Sequence, residues 1–188
     1  MSTALQSKQQ VNGIDTVALR QLADSAAVGG QNAQVKFAVA TAWQGGAKSE
    51  SRVTGYEIAG RQVTKDFSIL ADEPKELCGA NTQPNPQEIL MAAFNSCMVV
   101  GYVAGATMNG IELESLVIET DGDLDLRGFL GLDSKVKPGY DEIHYTVRIK
   151  GDGTPEQFAA IHKTVMATSP NRWNMANPIK LTSELVVE

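Results

Sequence analysis

The chain of 188 residues has two cysteines, and one of them, Cys97, lies in the middle of "PNPQEILMAAFNSCMVVGYVAGATMNG" (84–110), where no residue from Ile89 to Met108 is charged. A thiol there has two readings. Free cysteine packs as a small hydrophobe, whereas a thiolate is a nucleophile that takes up oxidising equivalents. If the stretch is a helix, Leu90, Ala93, Phe94, Val100, Gly101 and Ala104 share the face of Cys97, being three, four or seven residues away. The small members leave room beside the sulfur, and Leu90, Phe94 and Val100, with the space at Gly101, are the candidate walls of an apolar substrate pocket. Equally, Ala and Gly at those positions would let two helices pack closely with Cys97 as filler. The second cysteine, Cys78, lies in "KELCGANTQPNP", which leads into the same helix. It is a candidate resolving thiol if its Cα comes within ~7 Å of that of Cys97, in this chain or another, and otherwise a passive loop thiol.

Other chemistries fit poorly. Asp121, Asp123 and Asp125 have the spacing of a calcium loop, but Leu126 occupies the position of the turn glycine and Leu132 that of the bidentate glutamate. His144 and His162 have no cysteine or further histidine at ligand spacing, so no metal site is expected. There is no phosphate-cradling glycine loop opening a helix and no serine nucleophile elbow. A thiol carries its own redox change, so no cofactor is expected.

The net charge of −6, with no cluster of Lys and Arg, argues against nucleic acid as a partner. The N-terminal "MSTALQSKQQVNG" lacks a basic region followed by an apolar run, and two cysteines form no disulfide framework, so a cytoplasmic location is expected. The uncharged stretch has the length of a membrane span, yet it is rich in Ala, Gly, Ser and Asn, begins beside Glu88 and lacks basic or aromatic flanks. A helix that is apolar all round in a soluble chain needs cover on every side.

The elements that could supply it follow from periodicity. "GIDTVALRQLADSAAV" (13–28) has helical spacing and is broken by "GGQNAQ". Residues 35–43, 49–58 and 61–70 alternate as three strands of an antiparallel meander. Asn85 as N-cap, Pro86 at the first helical position and Glu88 as third residue open the central helix, which stops at Asn109-Gly110. Strands are expected at 112–120, 140–151 and in the final "IKLTSELVVE". A helix over 154–170 opens with Thr154, Pro155 and Gln157. Grouped strands around helices give an α+β class, with an antiparallel sheet wrapping the long central helix. One sheet cannot enclose a helix without a polar face, so an intertwined homodimer is expected.

The segment "DEPKELCGANTQPNPQEILMAAFNSCMVVGYVAGATMNGIELESL" resembles the OsmC/Ohr family of peroxide-reducing proteins. There a "KELGG"-type approach leads to "NPE" or "P-x-E" and then to a cysteine eleven residues after the proline, the interval from Pro86 to Cys97 here. The similarity runs from "FAVATAWQGG" to the last strand, about residues 35–188, after an N-terminal extension (1–34) carrying the short helix. "VNGID" and "GDLDLRGFLGL" look like a less characterised OsmC-like branch.

The resemblance implies an OsmC-like fold, an intertwined dimer with sites at the interface, and Cys97 as the cysteine that attacks the peroxide bond. A second cysteine before a proline on the late helix resolves the oxidised form in better-known branches, and Ser169 matches it here. The acid that follows the helix-opening proline in Ohr is Gln87, while Glu88 matches the P-x-E form. The Ohr-type arginine falls on Ala47 or Lys48, leaving neighbouring Arg52 or Arg61 as the cation a thiolate needs; Arg52 is the candidate partner. Glu88 is first a capping acid, about 13 Å of helix rise from Cys97.

The expected function is a thiol-dependent peroxidase acting on organic hydroperoxides, with catalytic candidates Cys97, Cys78, Arg52 and Glu88 and an external thiol as reductant. The alternatives are a small-ligand-binding module without turnover and a thiol-based oxidative sensor.

Overall fold

The computed structural model describes residues 10–188. They form two compact units that divide between Ala92 and Ala93, inside the central helix.

The first unit opens with a hairpin absent from the sequence-based reading, β1 (Gln10–Val11) paired with β2 (Ile14–Asp15). Its turn residues Asn12 and Gly13 both have positive φ, as a two-residue hairpin turn of matching twist requires. Asp15 then caps α1 (Thr16–Ala27), its carboxylate accepting from the N–H groups of Val17 and Ala18. The expected meander follows, but its first strand is split into β3 (Val35–Phe37) and β4 (Ala40–Trp43). Both pair with β5 (Ser49–Ile58), which pairs on its other side with β6 (Arg61–Ala71). The split lies opposite an irregularity in β5: Phe37 faces Tyr56 while Ala40 faces Arg52, and the pairing with β6 shifts between Val53 and Gly55. Gly55 permits the shift, because a Cβ there would stand 2.6 Å from the Val63 carbonyl oxygen.

After the meander the buried carboxylate of Asp72 organises the loop toward the central helix, accepting from the backbone N–H of Glu73, Ala80 and Thr82 and from the Thr82 hydroxyl. These bonds, Thr82 foremost, hold its pKa at about 2. The helix α2 (Pro86–Met108) starts with the expected reciprocal cap: Glu88 N–H donates to Asn85 Oδ1 at 2.8 Å and Asn85 N–H to Glu88 Oε2 at 2.7 Å.

In the second unit α2 ends at Gly110, whose φ of +70° suits glycine, with Ile111 N–H reaching back to the Ala106 carbonyl. Then come β7 (Leu113–Asp121), the short α3 (Leu126–Phe129), β8 (His144–Gly151), α4 (Pro155–Thr168) and α5 (Pro170–Ala176). Phe94, Met98, Tyr102 and Ala106 recur every fourth residue and form one buried stripe of α2. Leu116 opposite Ile149 and Ile118 opposite Val147 in the β7–β8 hairpin pack on that core, as do Ile161 and Val165 of α4. Gly101 and Gly105 let α4 approach: an added Cβ would lie 3.2 Å from Val165 Cγ2 and 2.9 Å from Ile161 Cγ2 respectively. Thr154 and Gln157 form the expected capping box of α4.

Two expectations are corrected. The late helix ends at Thr168 and a separate helix begins at Pro170, because Ser169 is extended and caps the second. "IKLTSELVVE" carries no strand, since no described strand pairs with it, and Leu181, Leu185 and Val187 stand more than four-fifths exposed. One chain leaves α2 largely uncovered, as the sequence-based expectation has it: the helix is long and apolar enough to cross a membrane, yet only 22% of its most apolar window is buried.

Candidate functional site

Cys97 lies half-buried on α2, and its sulfur stands 3.5 Å from the hydroxyl oxygen of Ser169. The two residues are 72 positions apart, and local structure on both sides fixes their meeting. Ser169 is buried at the junction of α4 and α5. Its N–H donates to the Val165 carbonyl at 2.9 Å, closing α4, and its Oγ accepts from the Arg172 N–H, capping α5. Asn171 Nδ2 donates to the Ala93 carbonyl at 2.9 Å, which pins α5 to α2 one turn before Cys97. Asn95 secures another side of the same turn: its Nδ2 donates to the Ile118 carbonyl and its Oδ1 accepts from the Thr120 hydroxyl.

With the Ser169 oxygen already accepting from a backbone N–H, its proton can be directed at the Cys97 sulfur. Among the described residues this is the hydrogen-bond partner of the Cys97 sulfur; no guanidinium or ammonium group bonds to it.

A turn away, Phe94 meets Tyr145 edge-on with ring centroids 5.1 Å apart. Arg172 donates from Nε to the Tyr145 hydroxyl oxygen at 3.3 Å and from Nη1 to the Met166 carbonyl at 2.8 Å. These residues border an open cavity of about 280 Å³ whose walls also include Ile143 and Met175.

The other sequence-derived candidates are placed as follows. Phe94 is buried and lines this cavity, whereas Val100 is two-thirds exposed and does not. Gly101 is occupied by its packing against α4, so the space beside it is filled by Val165. Arg52 lies on β5 with its guanidinium divided between Glu50 at 3.2 Å and Asp66 at 2.8 Å. The Ser68 hydroxyl and then Arg52 keep the Glu50 carboxyl below its ordinary pKa. Glu88 is held in the cap of α2. Cys78 is an exposed free thiol that ends a short 3₁₀ turn with φ of +64°, a left-handed conformation that favours glycine.

Sequence reasoning missed Tyr145 and Arg172. The Ser169-Pro170 pair, an N-cap residue followed by proline at the first helical position, was a usable signal for α5. Nothing local pointed to Tyr145, which reaches the site only through strand pairing.

Residues 79–184 match the family model described as OsmC-like protein. The chain belongs to the OsmC-like family. Solved OsmC-like folds are similar throughout most of their length. An OsmC-like protein from Mycoplasma pneumoniae gives a TM-score of 0.59 at 13% identity, covering 75% of this chain and 87% of that one. An OsmC-like protein of unknown function from Vibrio cholerae gives 0.51 at 16% identity, covering 73% and 91%. Such identities establish the shared fold. No curated protein matches the chain. Within this OsmC-like fold, Ser169 is the residue whose hydroxyl touches Cys97.

Proposed function

We propose that this OsmC-like protein is a thiol-dependent peroxidase that reduces organic hydroperoxides to alcohols through Cys97 and is regenerated by an external thiol. The observation that carries this reading is the contact between Cys97 and Ser169, the serine that the family resemblance puts where a resolving cysteine would stand. In the first step the Cys97 thiolate attacks the terminal oxygen of the peroxide. The O–O bond breaks, sulfur is oxidised by two electrons to the sulfenic acid, and the alkoxide leaves and takes a proton to become the alcohol. A serine hydroxyl supplies no thiolate to form a disulfide, so the sulfenic acid waits for a thiol from outside. That thiol condenses with it, releasing water and leaving a mixed disulfide. A second thiol then restores Cys97 and departs as the oxidised disulfide. Sulfur carries both electrons throughout, so the scheme requires no metal, flavin or haem. Cys78 is the alternative resolving thiol, supported by its exposure.

The apolar surface of the single chain supports a homodimer: Phe37, Trp43 and Phe67 on the meander and Val100 on α2 are all more than three-fifths exposed. Light scattering on the reduced protein checks this, and a monomer at working concentration removes it. A cytoplasmic location, where thiols are kept reduced, suits the proposed recycling. The serine at 169 also favours a second reading, an oxidative sensor whose Cys97 sulfenic acid is long-lived.

Consumption of cumene hydroperoxide in the presence of dithiothreitol separates these readings. Steady turnover by wild type and by Cys78→Ser, with none by Cys97→Ser, is the expected result. One oxidation per Cys97 without recycling assigns the sensor, and a Cys97 that never oxidises removes both.

A further inference from the structure

We propose that the cavity beside Phe94 is a binding site for a small amphipathic carboxylate, its acid group held by Arg172 and its aryl or alkyl body between Phe94, Ile143, Tyr145 and Met175. Arg172 carries a charge that no described carboxylate neutralises. Arg172 is half-buried, and its two bonded nitrogens donate to neutral oxygens, the Tyr145 hydroxyl and the Met166 carbonyl. Its Nη2 donates to no described residue, and no described carboxylate stands within ion-pair distance of it.

A half-buried guanidinium that borders an open cavity and has no counter-charge is available to an anion. The planar fork matches a carboxylate, and the two existing bonds fix its orientation in advance. Two carboxylates also border the cavity, but neither fills this role. Asp141 pairs with Lys137, and Glu142 is exposed to solvent. The remaining wall is aromatic and aliphatic, and the volume of about 280 Å³ lies at the small end of ligand pockets, ~300 Å³. One guanidinium beside an aromatic and aliphatic wall selects a monoanion with a compact hydrophobic body in preference to a phosphate dianion, whose second charge the Asp141 and Glu142 carboxylates on the same rim oppose.

Phe94 and Arg172 each lie three residues from a member of the Cys97–Ser169 contact, so the site adjoins the thiol without containing it. The proposal does not depend on peroxide turnover.

Calorimetric titration of the full-length reduced protein with phenylpropanoate, phenylpropanol and phenylpropylamine tests it. A charge-assisted hydrogen bond worth ~1.5–3 kcal/mol corresponds to a preference for the acid over the alcohol of about tenfold or more. The amine should bind more weakly than either. Arg172→Gln should abolish the preference, and Arg172→Lys should keep part of it. Equal affinity for acid and alcohol, strongest binding by the amine, no binding of any probe at millimolar concentration, or an Arg172→Gln variant that folds and binds the acid as well as wild type each overturns the proposal. The three-probe comparison on wild type decides the matter even if the variants fail to fold.

Discussion

Replacing Ser169 by cysteine in a Cys78→Ser background should restore a resolving thiol opposite Cys97. The existing Sγ to Oγ distance is 3.5 Å, and a disulfide needs ~2.05 Å, so the two side chains must close about 1.5 Å. Ser169 sits at a helix junction whose cap is a single hydrogen bond to the Arg172 N–H, so loss of that bond costs ~1 kcal/mol in the reduced variant. The bridge would close a loop of 72 residues, for which the chain-entropy model gives a ceiling of about 4 kcal/mol between oxidised and reduced forms. Strain from the closure leaves roughly 2–4 kcal/mol, and at ~2–4 °C per kcal/mol the oxidised variant should melt about 4–16 °C above its reduced form. Two oxidants separate geometry from reactivity. Diamide tests whether the thiols can meet; one equivalent of cumene hydroperoxide tests whether Cys97 is the group that reacts first. Thiol titration and intact mass should show loss of both thiols within one chain. Retention of both thiols under diamide, or a bridge only between chains, would refute the placement of Ser169 against Cys97.

Two further outcomes follow from the fold. Because Asp72 has a folded-state pKa of about 2 against an ordinary 3.8, the unfolded chain takes up its proton first on acidification. Its stabilising contribution is complete above about pH 4 and is lost as pH falls toward 2, so thermal midpoints of wild type should drop more steeply across that window than those of Asp72→Asn; parallel slopes contradict the assignment. Gly105→Val places a branched side chain where even a Cβ stands 2.9 Å from Ile161, which should cost ~1–3 kcal/mol and lower the melting midpoint by about 2–12 °C; an unchanged midpoint means that α4 does not pack that closely.

The sequence by itself determined whatever depends on neighbours a few residues apart. The caps at Asn85 and Glu88 and at Thr154 and Gln157, the stop at Gly110, and the alternation of β5, β6 and β7 are settled by short-range hydrogen bonds and side-chain period, and they stand as read, whereas the strand expected over 140–151 begins only at His144. The interval from Pro86 to Cys97 likewise placed the thiol on its helix. Tertiary structure alone decided where that thiol looks. Residues 97 and 169 meet because Asn171, Asn95 and the packing of Gly101 and Gly105 fix α2 against α4, α5 and β7, distances that no local pattern encodes. The same holds for the failures. The apolar alternation of "IKLTSELVVE" suits a strand, but a strand exists only where another offers its N–H and C=O groups, and among the described residues none does. Arg172 was only one charge among many in the sequence; its half-burial, and the absence of any described anion to meet it, belong to the folded chain.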